Sequence, residues 1–229
     1  MAVNQNTIWI VGCGPGGPEY LTREAEQVVA RSEIVFGSRR LLQLFSDSDT
    51  KQVQLPARSE EAIRTIDQHD HRGPVAVLVS GDPGVFSLAG PLVKHFGPER
   101  CVTVPGISSV QVAFSRLYMS WIDARIISVH GIIPEVSLEE LVDEDKIAFL
   151  VGTGEAVEWV FAMAEKLSAT HTLFACENLS LPNEVVQQID PSGFPPNEIA
   201  SLALLILVRR SETNDGPDQE SQDSMREKE

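Results

Sequence analysis

A chain of 229 residues is long enough for one large domain or two small ones, each with its own core. Its formal charge of −15 argues against a nucleic-acid surface, which needs a basic patch, and its 42% hydrophobic content is ordinary for a soluble protein. Three widely spaced cysteines, Cys13, Cys101 and Cys176, exclude a disulfide framework or a CxxC zinc site. The longest strongly apolar stretch, Ile199 to Val208, is half of the roughly 20 residues a membrane span needs. With no signal-peptide pattern at the N-terminus, the expectation is a cytoplasmic protein with no membrane and no nucleic-acid partner.

In chain order, Thr7–Val11 reads as a short strand that stops at Gly12. A helix follows only after Thr22, a plausible N-cap, with Glu24 and Glu26 suited to its positive end. Ile34–Phe36 is a strand, and Leu41, Leu42, Leu44 and Phe45 suggest a short helix. Ser59 is placed to cap a helix through about Gln68. Val75–Val79 is continuously apolar, the pattern of a parallel strand buried on both faces. Leu88 to Phe96 reads as helix and Cys101–Val104 as strand.

Pro105-Gly106 then breaks the chain, and a domain boundary is expected there. Ser108 or Ser109 caps the next helix, and Ser137-Leu138-Glu139-Glu140 is a capping-box pattern. Ile147–Val151, Thr172–Cys176, Leu202–Val208 and Val185–Ile189 read as strands, and Glu155–Leu167 as an amphipathic helix. Strands alternate with helices in both halves, so the fold class is α/β with two α/β domains, 1–105 and 106–208. Residues 209–229 form an acidic tail expected to be disordered; 211–229 carry seven acids against two bases, a net of −5.

Two glycine-proline loops follow apolar strands. The first, Val11-Gly12-Cys13-Gly14-Pro15-Gly16-Gly17-Pro18, resembles a dinucleotide fingerprint, but its prolines delay the helix that would meet a pyrophosphate. Arg39 and Arg40, after the second strand, keep an NADP-binding oxidoreductase open as an alternative. The second loop, Ser80-Gly81-Asp82-Pro83-Gly84, has the residues of a type II turn; it also suits a backbone ledge on which Asp82 holds a ligand's polar groups. Asp67-Gln68-His69-Asp70-His71 has metal-ligand chemistry but sits in a polar connector, where a solvated loop is expected and no metal. His130, at a strand end, is either a catalytic group or a satisfied boundary residue. Arg39, Arg40, Arg116 and Arg125 are the cationic candidates for binding carboxylates.

Three signatures, Val11-Gly12-Cys13-Gly14-Pro15-Gly16 with Leu21-Thr22, Ser80-Gly81-Asp82-Pro83 with Ser87, and Pro105-Gly106-Ile107-Ser108-Ser109, resemble those of the tetrapyrrole methylases. Gly37-Ser38-Arg39-Arg40-Leu41-Leu42, Ser108-Ser109-Val110-Gln111, Ser128-Val129-His130-Gly131 and Glu177–Glu184 are similar to the branch that methylates C5 of a corrin precursor, cobalt-precorrin-7 or precorrin-6Y, in cobalamin biosynthesis. The resemblance spans residues 7–208. It implies a homodimer that uses S-adenosyl-L-methionine as co-substrate, bound in a cleft between the domains. Carried over by position, Pro15, Ser80, Gly81, Asp82, Val85, Ser108, Ser109 and Val151 would contact the methyl donor. Arg39 and Arg40 would bind substrate carboxylates, and His130 or Glu177 would move a proton.

Ile132, the run Asn178-Leu179-Ser180 and the pair Leu202-Ala203 depart from the branch's pattern, all in the second domain. The chain lacks the extra domain of fused relatives, so it is expected to perform the C5 step alone and leave C15 to a separate decarboxylating subunit. A sensor that has lost catalysis, or a methylase of the same family acting on another tetrapyrrole, RNA or diphthine, remains an alternative.

Overall fold

The computed structural model describes residues 6–69, 73–131, 133–152 and 154–213. The chain divides into two compact units: one runs up to Val112 and takes in Leu179–Asn183, and the other comprises Ala113–Asn178 and the chain from Glu184 onward. The division falls inside a helix, whereas the sequence break at Pro105-Gly106 suggests one seven residues earlier.

The first unit holds a five-stranded sheet, β1 (Ile8–Gly12), β2 (Ile34–Gly37), β3 (Lys51–Gln54), β4 (Val75–Val79) and β5 (Cys101–Val104), in the order β3-β2-β4-β1-β5. Every pairing is parallel. Residues of β1 alternate between two cores. Ile8 and Ile10 pack with Ala62 and Ile66 of α3 (Ser59–Gln68) and Leu92 of α4 (Ala89–Phe96). Trp9 and Val11 pack with Val28 and Val29 of α1 (Arg23–Ala30) and Leu41 and Leu42 of α2 (Arg39–Gln43). With both faces covered, β1 and β4 are apolar throughout.

This winding positions a site. The connection from β1 runs through α1 across one face to β2; that from β4 runs through α4 across the other face to β5. Neighbouring strands therefore release their loops in opposite directions, which opens a crevice at their carboxyl ends. Both glycine-proline loops begin there.

The second unit has a mixed sheet in the order β6-β7-β10-β8-β9, formed by β6 (Arg125–Ser128), β7 (Lys146–Val151), β8 (His171–Glu177), β9 (Val185–Ile189) and β10 (Ala203–Arg209). Only β6 and β7 are parallel; the other three pairings are antiparallel. Phe149, Leu205 and Leu173 of this sheet pack against Val157, Val160 and Phe161 of α7 (Gly154–Leu167). The helix α5 (Ser109–Arg116) and the short α6 (Leu138–Leu141) complete the order, and Ser137 forms the expected capping box with Glu140.

Four sequence expectations change. Strand β3 was not anticipated, because Lys51-Gln52-Val53-Gln54 is a polar edge strand with no apolar run. Ser59 is the first residue of α3, whose N-cap is Arg58 with no side-chain cap bond. The strict alternation of strand and helix fails in the second unit, where β8 turns into β9 with no helix between. The first residues of the expected tail are ordered: Arg209 closes β10, and α8 (Arg210–Thr213) follows. The rest of that acidic tail, residues 214–229, lies outside the described residues, as do Asp70, His71 and Ile132. Among the described residues no helix is long and apolar enough to cross a membrane.

Candidate functional site

Three loops at the carboxyl ends of β1, β4 and β5 are joined through their backbones. Cys13 N–H donates to the Val79 carbonyl at 2.9 Å, and Gly81 N–H donates to the Gly14 carbonyl at 2.8 Å, with the return bond at 3.3 Å. Gly14 and Gly81 form this bridge at φ +71° and +65°, the left-handed region that glycine enters without steric cost. The third loop presses onto both. A Cβ on Gly12 would lie 2.6 Å from the Gly106 nitrogen and 2.8 Å from the Gly81 oxygen. The glycines at 12 and 106 thus let strand ends meet backbone to backbone.

Asp82 ties the second loop to the third. Its Oδ1 accepts the Gly84 N–H at 2.7 Å and its Oδ2 accepts the Gly106 N–H at 3.1 Å. The Val85 N–H donates to the Asp82 carbonyl at 3.1 Å, which closes a β-turn. The turn is not type II: that form needs a left-handed Gly84, and Gly81 is the residue held at positive φ. The positive-φ position therefore precedes the aspartate.

Ser108 and Gln111 cap α5 reciprocally. The Ser108 Oγ accepts the Val110 N–H at 3.2 Å, and the Gln111 Oε1 accepts the Ser108 N–H at 2.9 Å. The Gly81 Cα faces this corner, since a Cβ there would sit 3.7 Å from the Ser108 Cα and 3.9 Å from the Ser109 nitrogen. Gly81, Ser108 and Ser109 are therefore neighbours, with Ser80 and Asp82 on either side of Gly81.

Arg40 joins the first loop to the second. Its guanidinium donates to the Pro15 carbonyl at 3.2 Å and to the Ser80 Oγ at 3.0 Å. Burial lowers its pKa from the ordinary arginine value. Beside it, burial pushes the Cys13 thiol up to about 12. Arg39 is exposed at the start of α2 and does not join this constellation. The two adjacent arginines of the sequence thus part company, one clamping loops and one facing solvent.

A strap from far along the chain covers the first loop. The Ser180 Oγ accepts the Gly17 N–H at 2.8 Å, and the Leu181 side chain lies against Gly16. Ser180 adopts φ +66° to do so. A reading of local spacing could not find this contact, which spans 163 residues.

The second-unit candidates lie at the same strand ends of their sheet. Val151 ends β7 and Glu177 ends β8, and both are in register with Ala203. Two strand spacings put them roughly 10 Å apart. His130 follows β6 and is exposed, with its ring directly over Gly152; a Cβ on Gly152 would collide with the imidazole. Glu177 is buried, and its Oε2 accepts the Ala200 N–H at 2.7 Å. Its carboxylate is thus engaged with a loop. Arg116 and Arg125 are taken up in ion pairs with Glu184, and with Glu140 and Glu144. Of the expected polar cluster, Asp67 is 4.0 Å from His95 and His69 packs edge-on against Phe36.

The family model described as tetrapyrrole (corrin/porphyrin) methylases matches residues 7–190. The chain is 30% identical over 186 residues to the probable cobalt-precorrin-7 C(5)-methyltransferase of Methanocaldococcus jannaschii, covering 78% of this chain and 87% of that protein. It is 28% identical over 185 residues to the cobalt-precorrin-7 C(5)-methyltransferase of Salmonella typhimurium, covering 80% and 90%. The solved precorrin-6Y methylase of Archaeoglobus fulgidus superposes with a TM-score of 0.69 at 27% identity, covering 89% of this chain and 97% of that one.

Proposed function

The chain belongs to the tetrapyrrole (corrin/porphyrin) methylases, and from that premise we propose that it transfers a methyl group from S-adenosylmethionine to C5 of a corrin precursor, cobalt-precorrin-7 or precorrin-6Y. The observation that carries this reading is the convergence of three signature loops at one strand-end crevice, in a chain whose relatives carry that activity in their names.

The residues fit the donor as a ledge with few long side chains in the way. Gly12, Gly81 and Gly106 pack main chain on main chain beneath that ledge, and Ser80, Ser108, Ser109 and Val85 lie around them in the same loops. Asp82 and Ser108 contribute by holding that surface, since their side-chain oxygens accept backbone N–H groups. Pro15 is fixed through its carbonyl by Arg40. Val151 is the contact proposed from the second unit. A sulfonium supplies an already activated methyl group, so what the protein must add is alignment of the acceptor carbon.

For substrate carboxylates, Arg39 and Arg40 remain the proposed cations. Arg40 has donors beyond its two loop bonds, and Arg39 is exposed. For proton movement His130 is preferred over Glu177, because its imidazole is exposed while the glutamate is buried and already accepts a backbone N–H. A cytoplasmic homodimer, with C15 left to a separate decarboxylating enzyme, completes the reading.

The test is to incubate the protein with cobalt-precorrin-7 and methyl-labelled S-adenosylmethionine. One added methyl at C5, located by mass spectrometry and NMR, is expected. No heat on titrating S-adenosylhomocysteine, or no methylated product, overturns the proposal; heat with NADP instead would restore the oxidoreductase alternative.

A further inference from the structure

Among the described residues of the first unit, large hydrophobic side chains are exposed at two positions, Phe86 at 62% and Ile107 at 37%. Neither is scattered on an outer helix. Phe86 follows the Asp82–Val85 turn beyond β4, and Ile107 lies between Gly106 and Ser108 beyond β5. Asp82 bonds one loop to the other, so both residues belong to joined loops.

Phe86 is also strained. Its φ is +44°, a region that a bulky side chain rarely enters. Among the described residues four other non-glycine residues have positive φ, and each has a local reason. Tyr118 lies two residues beyond the end of α5, where the Met119 N–H returns to the Phe114 carbonyl at 3.0 Å in the manner of a helix C-cap. Asp123, Asn178 and Ser180 are short polar residues. Phe86 has no helix end and no polar side chain. Its conformation is held from both sides: the Val85 N–H donates to the Asp82 carbonyl, the Ser87 hydroxyl donates to the Pro83 carbonyl at 2.6 Å, and the Ala89 N–H donates to the Ser87 Oγ at 3.0 Å. Folding gains little from this ring, which is strained and exposed together; strain maintained by its surroundings points to a ligand.

We propose that Phe86, on the loop that Asp82 ties to the loop of Ile107, is the surface on which the face of a flat conjugated ring stacks. The inference rests on the methylase reading, in which both the donor's adenine and the tetrapyrrole-derived substrate offer such a face. Aromatic stacking is sequence-tolerant and strong enough to matter, and a ring held at fixed height would set the plane of whatever lies on it.

The experiment measures Phe86→Ala, Phe86→Leu, Phe86→Tyr and Phe86→Gly in the full chain. If the ring is the substrate's, Phe86→Ala and Phe86→Leu raise KM for cobalt-precorrin-7 by about tenfold and leave S-adenosylhomocysteine affinity unchanged. If it is adenine, they weaken S-adenosylhomocysteine by about tenfold, while S-ribosylhomocysteine, which has no base, shows no difference. In either case Phe86→Tyr restores the wild-type value, and Phe86→Gly melts at the same temperature or higher because the strain is relieved. Unchanged KM and unchanged affinity in Phe86→Ala overturn the assignment, as does a Phe86→Gly chain that melts well below wild type. A wild-type protein that binds no S-adenosylhomocysteine overturns the methylase reading and this assignment with it; a binding wild type with indifferent variants overturns this assignment alone.

Discussion

Whether a glycine can be replaced depends on what its missing Cβ would touch. At Gly106 the nearest atoms are main chain: the Gly81 oxygen, and the Gly12 carbonyl carbon at 2.7 Å. None of these can rotate away. Gly106→Ala is therefore expected to cost about 3 kcal/mol, the upper range for overpacking, and to abolish S-adenosylhomocysteine binding, as read by urea denaturation and calorimetry. At Gly152 the obstacle is the His130 ring, a side chain that can swing aside. Gly152→Ala should cost under about 1 kcal/mol yet shift the pH–rate profile if His130 moves a proton. Equal losses in the two variants would sink the argument. Thiols give a second residue-scale test. Burial holds Cys13 and Cys176 protonated up to about 12, against an ordinary 9.0. Between those pH values the folded chain keeps protons that the unfolded chain releases, so the stability these thiols contribute is whole below about pH 9 and declines as pH rises through the window. Thermal melts at pH 8 and pH 10.5 should show the decline, and Cys13→Ala should flatten it. Half-buried Cys101 should react first with a thiol reagent. The glycines and cysteines were visible in the sequence, but their partners were not: Gly12 meets Gly106 and Arg40 meets Ser80 only because the sheet brings those strand ends together.

Elements that bury both faces announce themselves. Val75–Val79, buried throughout, is a strand at the residues its apolar run suggests; the edge strand Cys101–Val104 also lies where the sequence suggests, and Thr22 caps α1 by accepting the Ala25 N–H at 3.1 Å. Burial on both faces also hides strand direction. Leu202–Val208 is as continuously apolar as the parallel strand Val75–Val79, yet β10 lies antiparallel to both its neighbours, because an apolar run records burial and not polarity of the chain. Loops carry their own test. Asp82 accepts two backbone N–H groups from two different loops. Asp82→Asn keeps one acceptor oxygen and turns an amide NH2 toward the other N–H. The expected loss is about 1–2 kcal/mol, with a weaker S-adenosylhomocysteine complex. Asp82→Ala, which removes both acceptors, should lose more on both measurements. If Asp82→Ala leaves melting unchanged and affects turnover alone, the aspartate serves the ligand directly and not the loop junction. The strap at Ser180 and Leu181 was illegible for a different reason: a five-residue segment whose partners lie some 160 positions away leaves no periodic trace.

At the scale of the whole molecule, two α/β units were legible from strand and helix signals, while the return of Leu179–Asn183 to the first unit was not. Charge is the property that belongs to no single element. The chain carries a formal −15, and residues 214–229 supply six acids against two bases, a net of −4 of that total. A corrin precursor rich in carboxylates approaches a protein of like charge, so the long-range field opposes encounter even if Arg39 and Arg40 bind it at close range as proposed. Added salt shortens the screening length from about 30 Å at 0.01 M to about 8 Å at 0.15 M, which removes the distant repulsion before it weakens contacts already made. The expected result is a severalfold rise in kcat/KM for the corrin substrate as salt increases from about 20 to about 150 mM, with little change in S-adenosylhomocysteine affinity. A chain shortened after Thr213 should show a smaller rise. A fall in kcat/KM over the same range would mean that local positive charge such as that of Arg39 and Arg40 already dominates the approach, and that the net acidic charge is not felt at the site.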